Sequence, residues 1–171
     1  MLPCPQPAGV NDPLWYVAHT RPRCEKKLLQ SSLRAGLDAR LPCYRRAHRY
    51  RGKVVVFHKP LFPGYVFFKM PPEKRSAVLQ SDHLARLLDV PDQDLFVRQF
   101  NDILQALETD LEIRLAPTIG EGLRVKVKAG PLRGVEGWVE KRHGLSTVLI
   151  RLDFIGQAAA VKLEATDLEL I

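Results

Sequence analysis

The sequence predicts an α+β fold, an antiparallel sheet with packed helices, followed by a small closed all-β barrel. Three observations carry that expectation. Strand-like runs alternate with two stretches whose apolar residues recur at helical spacing. A proline and two glycines interrupt the chain at Ala116-Pro-Thr-Ile-Gly-Glu-Gly122. Beyond that interruption the apolar period changes to two, as in strands. At 171 residues the chain is long enough for one ordinary domain, or for one of about 110 residues plus a small module. The expected organisation is a disordered lead-in over residues 1–13, a first domain over 14–115, a linker over 116–121 and a barrel over 122–171.

Prolines at positions 3, 5, 7 and 13 carry the expectation of a disordered lead-in. Leu14-Trp-Tyr-Val-Ala-His-Thr20 is rich in aromatic and β-branched types and predicts the first strand. Pro22 suits the first turn of a helix, where its missing N–H would be unpaired anyway. Leu29, Leu33 and Leu37, with Cys24 and Leu28 alongside, give that helix one apolar stripe over about four turns, and Gly36 marks its end. Ala39 to about Tyr44 suits a second strand. Arg45 to Lys53 reads as a basic loop or as a hairpin tip around Arg51-Gly52, after which Val54-Val-Val-Phe57 returns as a strand.

The chain is centred on Lys59-Pro-Leu-Phe-Pro-Gly-Tyr-Val-Phe-Phe-Lys-Met70. Pro63-Gly64 signals a turn, and Tyr65, Val66, Phe67 and Phe68 after it all favour a strand. Tyr65 and Phe67 share one face while Val66 and Phe68 share the other, so both faces are apolar. One can be core; the other is either covered by helices or left as a docking patch for another protein. Pro71-Pro72 ends this strand. Glu73 to Gln80 predicts a short helix, Leu84 to Val90 a strand, and Phe96 to Leu111 a long helix with Phe100, Ile103, Leu104, Leu107 and Leu111 at helical spacing. After the linker Leu123, Val125 and Val127 alternate with Arg124, Lys126 and Lys128. Five short strands in about 50 residues imply a closed barrel, because closure removes the unpaired edges that so short a sheet would expose.

Charge is distributed unevenly. The net charge is +7, and residues 1–116 hold 18 Lys and Arg against 12 Asp and Glu, while residues 117–171 hold 8 against 7. No acid lies between Asp38 and Glu73, yet Arg40, Arg45, Arg46, Arg49, Arg51, Lys53, Lys59 and Lys69 all do. Such a one-signed stretch is either a phosphate-facing surface or a solvated basic loop. The three cysteines, Cys4, Cys24 and Cys43, form no CxxC pair, and the histidines show no ligand spacing with them. Reduced thiols in a cytoplasmic protein are expected, with no metal, no cofactor and no catalytic constellation. The first residues lack the apolar core of a secretory signal, and no run approaches a membrane span.

Two stretches resemble a known family. Trp15-Tyr16, Thr20-Arg-Pro-Arg-Cys-Glu-Lys-Lys27 and Pro60-Leu-Phe-Pro-Gly-Tyr-Val-Phe67 resemble the N-terminal domain of NusG-type transcription elongation factors. Gly122-Leu-Arg-Val-Lys-Val-Lys-Ala-Gly-Pro-Leu-Arg-Gly-Val-Glu-Gly-Trp-Val139 resembles the KOW motif that follows in that family, and Phe154-Ile-Gly-Gln157 falls where it carries a short Phe-Gly turn. The resemblance covers residues 14–171. Thr20-Arg-Pro-Arg23 and Pro60-Leu-Phe-Pro-Gly64 favour a specialised branch resembling RfaH.

The resemblance implies an SH3-like (KOW) barrel behind a domain that docks on the clamp helices of the largest RNA polymerase subunit, beside the nontemplate DNA strand. His19, Leu61, Phe62, Pro63, Tyr65 and Phe67 match the docking positions. Arg21 and Arg23 match a position facing the nontemplate strand, and Arg45, Arg46, Arg49 and Arg51 would extend that surface. Lys74, Arg75 and Ser76 fall at a second polymerase contact, although they differ from the polar motif of specialised members. Leu132, Ile155 and Gly156 fall in the loops used for termination factor Rho or a small-subunit ribosomal protein, with leucine where many relatives have phenylalanine. The implied function is a monomeric, non-enzymatic regulator that suppresses pausing and termination. Two other classes compete: a KOW-containing ribosomal or RNA-binding protein, and an enzyme with a cysteine nucleophile.

Overall fold

The computed structural model describes residues 12–117, 122–142 and 145–171. Most of the expected lead-in and of the expected linker lie outside these residues, as do Cys4 and His143. The elements run β1 (Leu14–Thr20), α1 (Glu25–Arg34), β2 (Asp38–Arg40), β3 (Cys43–Tyr50), β4 (Lys53–Pro60), β5 (Tyr65–Met70), a 3-10 turn (Pro72–Lys74) leading into α2 (Arg75–Leu79), and β6 (Leu84–Asp89). They continue with α3 (Gln93–Leu107), β7 (Ile113–Pro117), β8 (Leu123–Val127), β9 (Glu136–Arg142), β10 (Leu145–Leu152), β11 (Gln157–Leu163) and β12 (Leu168–Leu170). Two compact units result: Met1–Leu41 with Pro63–Gln93, and Pro42–Phe62 with Asp94–Ile171.

The first unit is an antiparallel sheet in the order β2-β5-β1-β6. Tyr16, Ala18, Val66, Phe68 and Met70 form its core face, joined by Leu28 from α1, Val78 from α2, and Leu37, Ala39 and Leu84. Helix α1 buries Leu28 and Ser32, whereas Leu33 is exposed. The working stripe is therefore displaced by one residue from the leucine series at 29, 33 and 37. Leu37 still reaches the core because the helix has already ended. Gly36, at φ +74°, donates to the Leu33 carbonyl, and Leu37 donates to that of Ser32, which closes a Schellman cap. Gln93 completes the sheet by bonding both the N–H and the carbonyl of Trp15 at 2.8 and 2.9 Å.

The second unit contains the β3–β4 hairpin, α3 and an open sheet. The basic stretch is strand rather than loop: Cys43 to Tyr50 pairs with Lys53 to Pro60, and Arg51-Gly52 is the tip, both residues at positive φ. The expected SH3-like closed barrel does not form. Strands β8 to β12 belong to a six-stranded open sheet ordered β12-β8-β9-β10-β11-β7. Its outermost strand, β7, precedes the expected barrel. Ile113, buried, pairs with Val161, and Leu115 pairs with Ala159, so β7 occupies the β11 edge that closure would have used. The three residues of β12 satisfy β8 at the other end. The edge problem is met by adding a strand, not by closing the sheet.

Val125, Val139 and Val148 form the sheet's apolar cluster, with Leu163 and Leu168 packed on it. At Gly137 any Cβ would stand 2.7 Å from the Leu149 carbonyl oxygen and from Val148 Cγ1, so only glycine allows β9 and β10 this approach. Trp138 lies under the Arg151 guanidinium, 4.0 Å from the ring centroid. Within this unit α3 packs through Phe96, whose ring is edge-on to Phe154 at 6.5 Å, and through Gln99, which donates to Asp153 Oδ2 at 2.7 Å and accepts the Asp153 N–H at 3.0 Å.

Asp102, half-buried on α3, has its carboxyl pushed from the ordinary 3.8 to about 6. Burial is the larger cause and the charge of Glu136 the second, while the Glu136 N–H and Arg98 oppose them. The folded carboxyl thus holds its proton more tightly than the unfolded one. Its contribution to stability is full below about pH 4 and is lost as pH rises through about 6. Solvent screening limits the loss to about 1–2 kcal/mol. Asp102→Asn stays neutral and can still accept the Glu136 N–H. It is expected to raise the urea midpoint at neutral pH and to flatten the stability curve between about pH 4 and 6. A variant curve parallel to that of the parent chain would contradict this.

Candidate functional site

The site is built where β1 ends and β5 begins. Antiparallel pairing sets His19 opposite Tyr65 and Val17 opposite Phe67. Gly64, at φ +86°, lets the chain turn into β5, and its two backbone groups tie it to both neighbours. Its carbonyl accepts from the Thr20 N–H at 2.8 Å, and its N–H donates to Glu25 Oε1, in the first turn of α1, at 2.9 Å. A Cβ at position 64 would lie 3.6 Å from the His19 ring. The rings of His19 and Tyr65 stand 5.3 Å apart, tilted by 35°. His19 and Pro63 are exposed and Tyr65 is half-buried, so these three form an accessible ledge. Leu61, Phe62 and Phe67 are buried, Phe67 to 0% exposure.

Arg21 and Arg23 follow the ledge directly. The Cys24 N–H bonds the Arg21 carbonyl and Arg23 has φ +61°, so both side chains leave a tight turn ahead of α1 and both are exposed. A non-glycine residue in this conformation costs about 1–2 kcal/mol, a strain that concentrates at functional positions. Pro22 sits inside this turn, not within the helix. Arg45, Arg46, Arg49 and Arg51 are exposed on the hairpin of the other unit. Of the second-contact residues, Lys74 and Ser76 are exposed, but Arg75 is already engaged: it pairs with Asp89 at 3.2 Å and lies over the Tyr16 ring at 5.4 Å. Leu132 is a core residue of the second unit. Ile155 is half-buried, and Gly156 is exposed at φ +63°, closing the 3-10 turn Asp153–Ile155.

The sequence does not single out Glu25: an acid in the first turn favours its own helix N-terminus, whereas its bond to the Gly64 N–H, 39 residues away, is tertiary. Among the described residues no group of three His, Cys, Asp or Glu is placed to hold a metal, and no helix is long and apolar enough to cross a membrane. Cys24 and Cys43 are not joined in a disulfide.

The family model described as "Transcription termination factor nusG" matches residues 13–107, more than half of the chain. The chain belongs to the NusG family. It is accordingly a transcription factor and not an enzyme. No curated protein matches this NusG-family chain. Among solved structures, one from the work "Domain interaction in Thermotoga maritima NusG" is 20% identical, covering 95% of this chain and 99% of that one at a TM-score of 0.56, and so shares the fold. A chain of the MjSpt4:Spt5 complex in conformation B, 14% identical over 92% of this chain and 97% of that one, superimposes at only 0.32.

Gly64→Ala forces a side chain into the left-handed region and should cost about 1–2 kcal/mol. The expected readout is a lower urea midpoint with an unchanged slope. An unchanged midpoint would mean that the Gly64 junction does not constrain β5.

Proposed function

We propose that this NusG-family chain grips the clamp helices of the largest RNA polymerase subunit with the ledge of His19, Pro63 and Tyr65, and that Arg21 and Arg23 approach the nontemplate DNA strand beside it. The observation that carries this is the pair of accessible rings held 5.3 Å apart at a hydrogen-bonded glycine junction, beside two exposed arginines. Aromatic anchors of this kind dominate binding energy because they are large, stiff and apolar at the base. Phe67, Leu61 and Phe62 are buried and so are not part of the proposed contact surface. Lys74 and Ser76 offer the second polymerase contact, and Ile155 and Gly156 the C-terminal partner surface, for Rho or a small-subunit ribosomal protein.

Binding the clamp in its closed position disfavours paused conformations. A preference of about 1–3 kcal/mol for the active state suffices, with no bond made or broken. The cytoplasm is the compartment this implies. Thr20-Arg-Pro-Arg23 and Pro60-Leu-Phe-Pro-Gly64 support a specialised, RfaH-like antiterminator. A ribosomal KOW protein would explain the basic charge but gives the ledge no purpose.

In vitro transcription on a template carrying a pause and a Rho-dependent terminator tests this. The chain is expected to shorten the pause and raise read-through, and Tyr65→Ala to lose about tenfold or more of its polymerase affinity. Pause suppression unaltered by Tyr65→Ala would sink the grip, and preferential capture of ribosomal RNA over polymerase would favour the ribosomal class.

A further inference from the structure

The β3–β4 hairpin has features that charge alone does not account for. Every residue from Arg45 to Lys59 is exposed, and six of them are Lys or Arg: Arg45, Arg46, Arg49, Arg51, Lys53 and Lys59. No acid occurs from residue 39 to 72. Directly opposed residues of an antiparallel pair share a face. The pairs Tyr44–Lys59, Arg46–Phe57, His48–Val55 and Tyr50–Lys53 therefore lie on one face. Three of these four rungs join a ring to a cation, and the fourth carries His48, whose ring stands edge-on to Phe57 at 5.8 Å. Tyr50 is 67% and Phe57 47% exposed, and the Arg51 guanidinium lies 5.4 Å from the Tyr50 ring. The opposite face, with Arg45, Ala47 and Arg49 against His58, Val56 and Val54, holds one imidazole and no other ring.

We infer that the Tyr44–Arg46–His48–Tyr50 face of the hairpin is a stacking platform for unpaired DNA, its rings taking successive bases and Arg46, Lys53 and Lys59 the phosphates. Rings alternating with cations and wholly free of acids are the chemistry of single-strand binding surfaces. Same-face residues along a strand repeat at about 6.8 Å, twice the rise per residue. Bases in a duplex are spaced about 3.4 Å along each strand. Bases resting on successive rings must therefore be drawn apart, which a paired strand does not permit. This rests on the nucleic-acid half of the proposed function and identifies the hairpin's ligand; it does not depend on the polymerase grip.

The test uses the full chain and labelled oligomers of about 12 nucleotides, matched to the span of such platforms: single-stranded DNA, the same sequence as duplex, and its RNA counterpart, read by fluorescence anisotropy over a salt series. Single-stranded DNA is expected to bind at least about tenfold more tightly than duplex. Tyr50→Leu with Phe57→Leu keeps apolar area but removes the rings, and should weaken it about tenfold or more without changing the salt slope. Arg46→Gln should lower the salt slope by about one, and Tyr50→Phe should bind as the parent chain does. Affinity of the double-leucine variant within about twofold of the parent overturns the proposal. So does equal or tighter binding of the duplex, tighter binding of the RNA, or capture of an acidic protein in place of any oligomer. Polymerase capture by the double-leucine variant separates the two readings. Retained capture with lost oligomer binding leaves both standing, retained oligomer binding with the rings gone removes only the platform, and loss of pause suppression confined to Tyr65→Ala bears only on the grip.

Discussion

The backbone of Gly64 fixes the candidate site. One residue with no side chain turns the chain into β5, hands its carbonyl to Thr20 at the end of β1 and its N–H to Glu25 at the start of α1. These two bonds lock the register that sets His19 across from Tyr65. Thr20 and Glu25 flank the Arg21–Cys24 turn, so the same two bonds tie strand, turn and helix start to one corner. Local chain stereochemistry becomes surface geometry at this point: a positive φ that only glycine adopts cheaply leaves two rings side by side at the end of the two central strands.

Strand β5 shows how far a sequence pattern reaches. Alternation correctly divides Val66 and Phe68 from Tyr65 and Phe67, and Val66 and Phe68 do form the core face. It cannot say how much of the other face stays open, because that depends on tertiary cover. Phe67 is wholly buried while Tyr65, two residues earlier, is only half so. The accessible surface is consequently narrower than six residues and is carried by His19, Pro63 and Tyr65. Gly36 and Arg51-Gly52 were legible because their conformations are local. The α1 stripe was not: Leu28 and Ser32 face the core, and a serine is small enough to pack there without announcing itself as apolar.

The C-terminal half shows a different failure of local inference. Period-two alternation identifies strands β8 to β12 but not what covers their edges. Ile113-Arg-Leu-Ala-Pro117 contains the alternation of a strand, yet its proline and alanine run into a segment with linker composition. Its pairing with β11 is a long-range event that no local rule contains. The raised carboxyl of Asp102 has the same origin. It is an ordinary polar position on a helix by sequence, made unusual by burial and by a glutamate 34 positions away. The 3-10 turn Asp153–Ile155 ending at Gly156 is a local feature, but the packing of Phe154 on Phe96 is again nonlocal.

If the corner organised by Gly64 is the surface polymerase touches, contact can be read at Tyr65 directly. A photo-crosslinking aromatic amino acid placed at position 65, with one at exposed Glu169 as a control, would be irradiated in a halted elongation complex and the adducts mapped by mass spectrometry. Adducts to the clamp helices of the largest subunit are expected from position 65, and none there from position 169. A complex that forms normally yet gives no clamp-helix adduct from position 65 would contradict it.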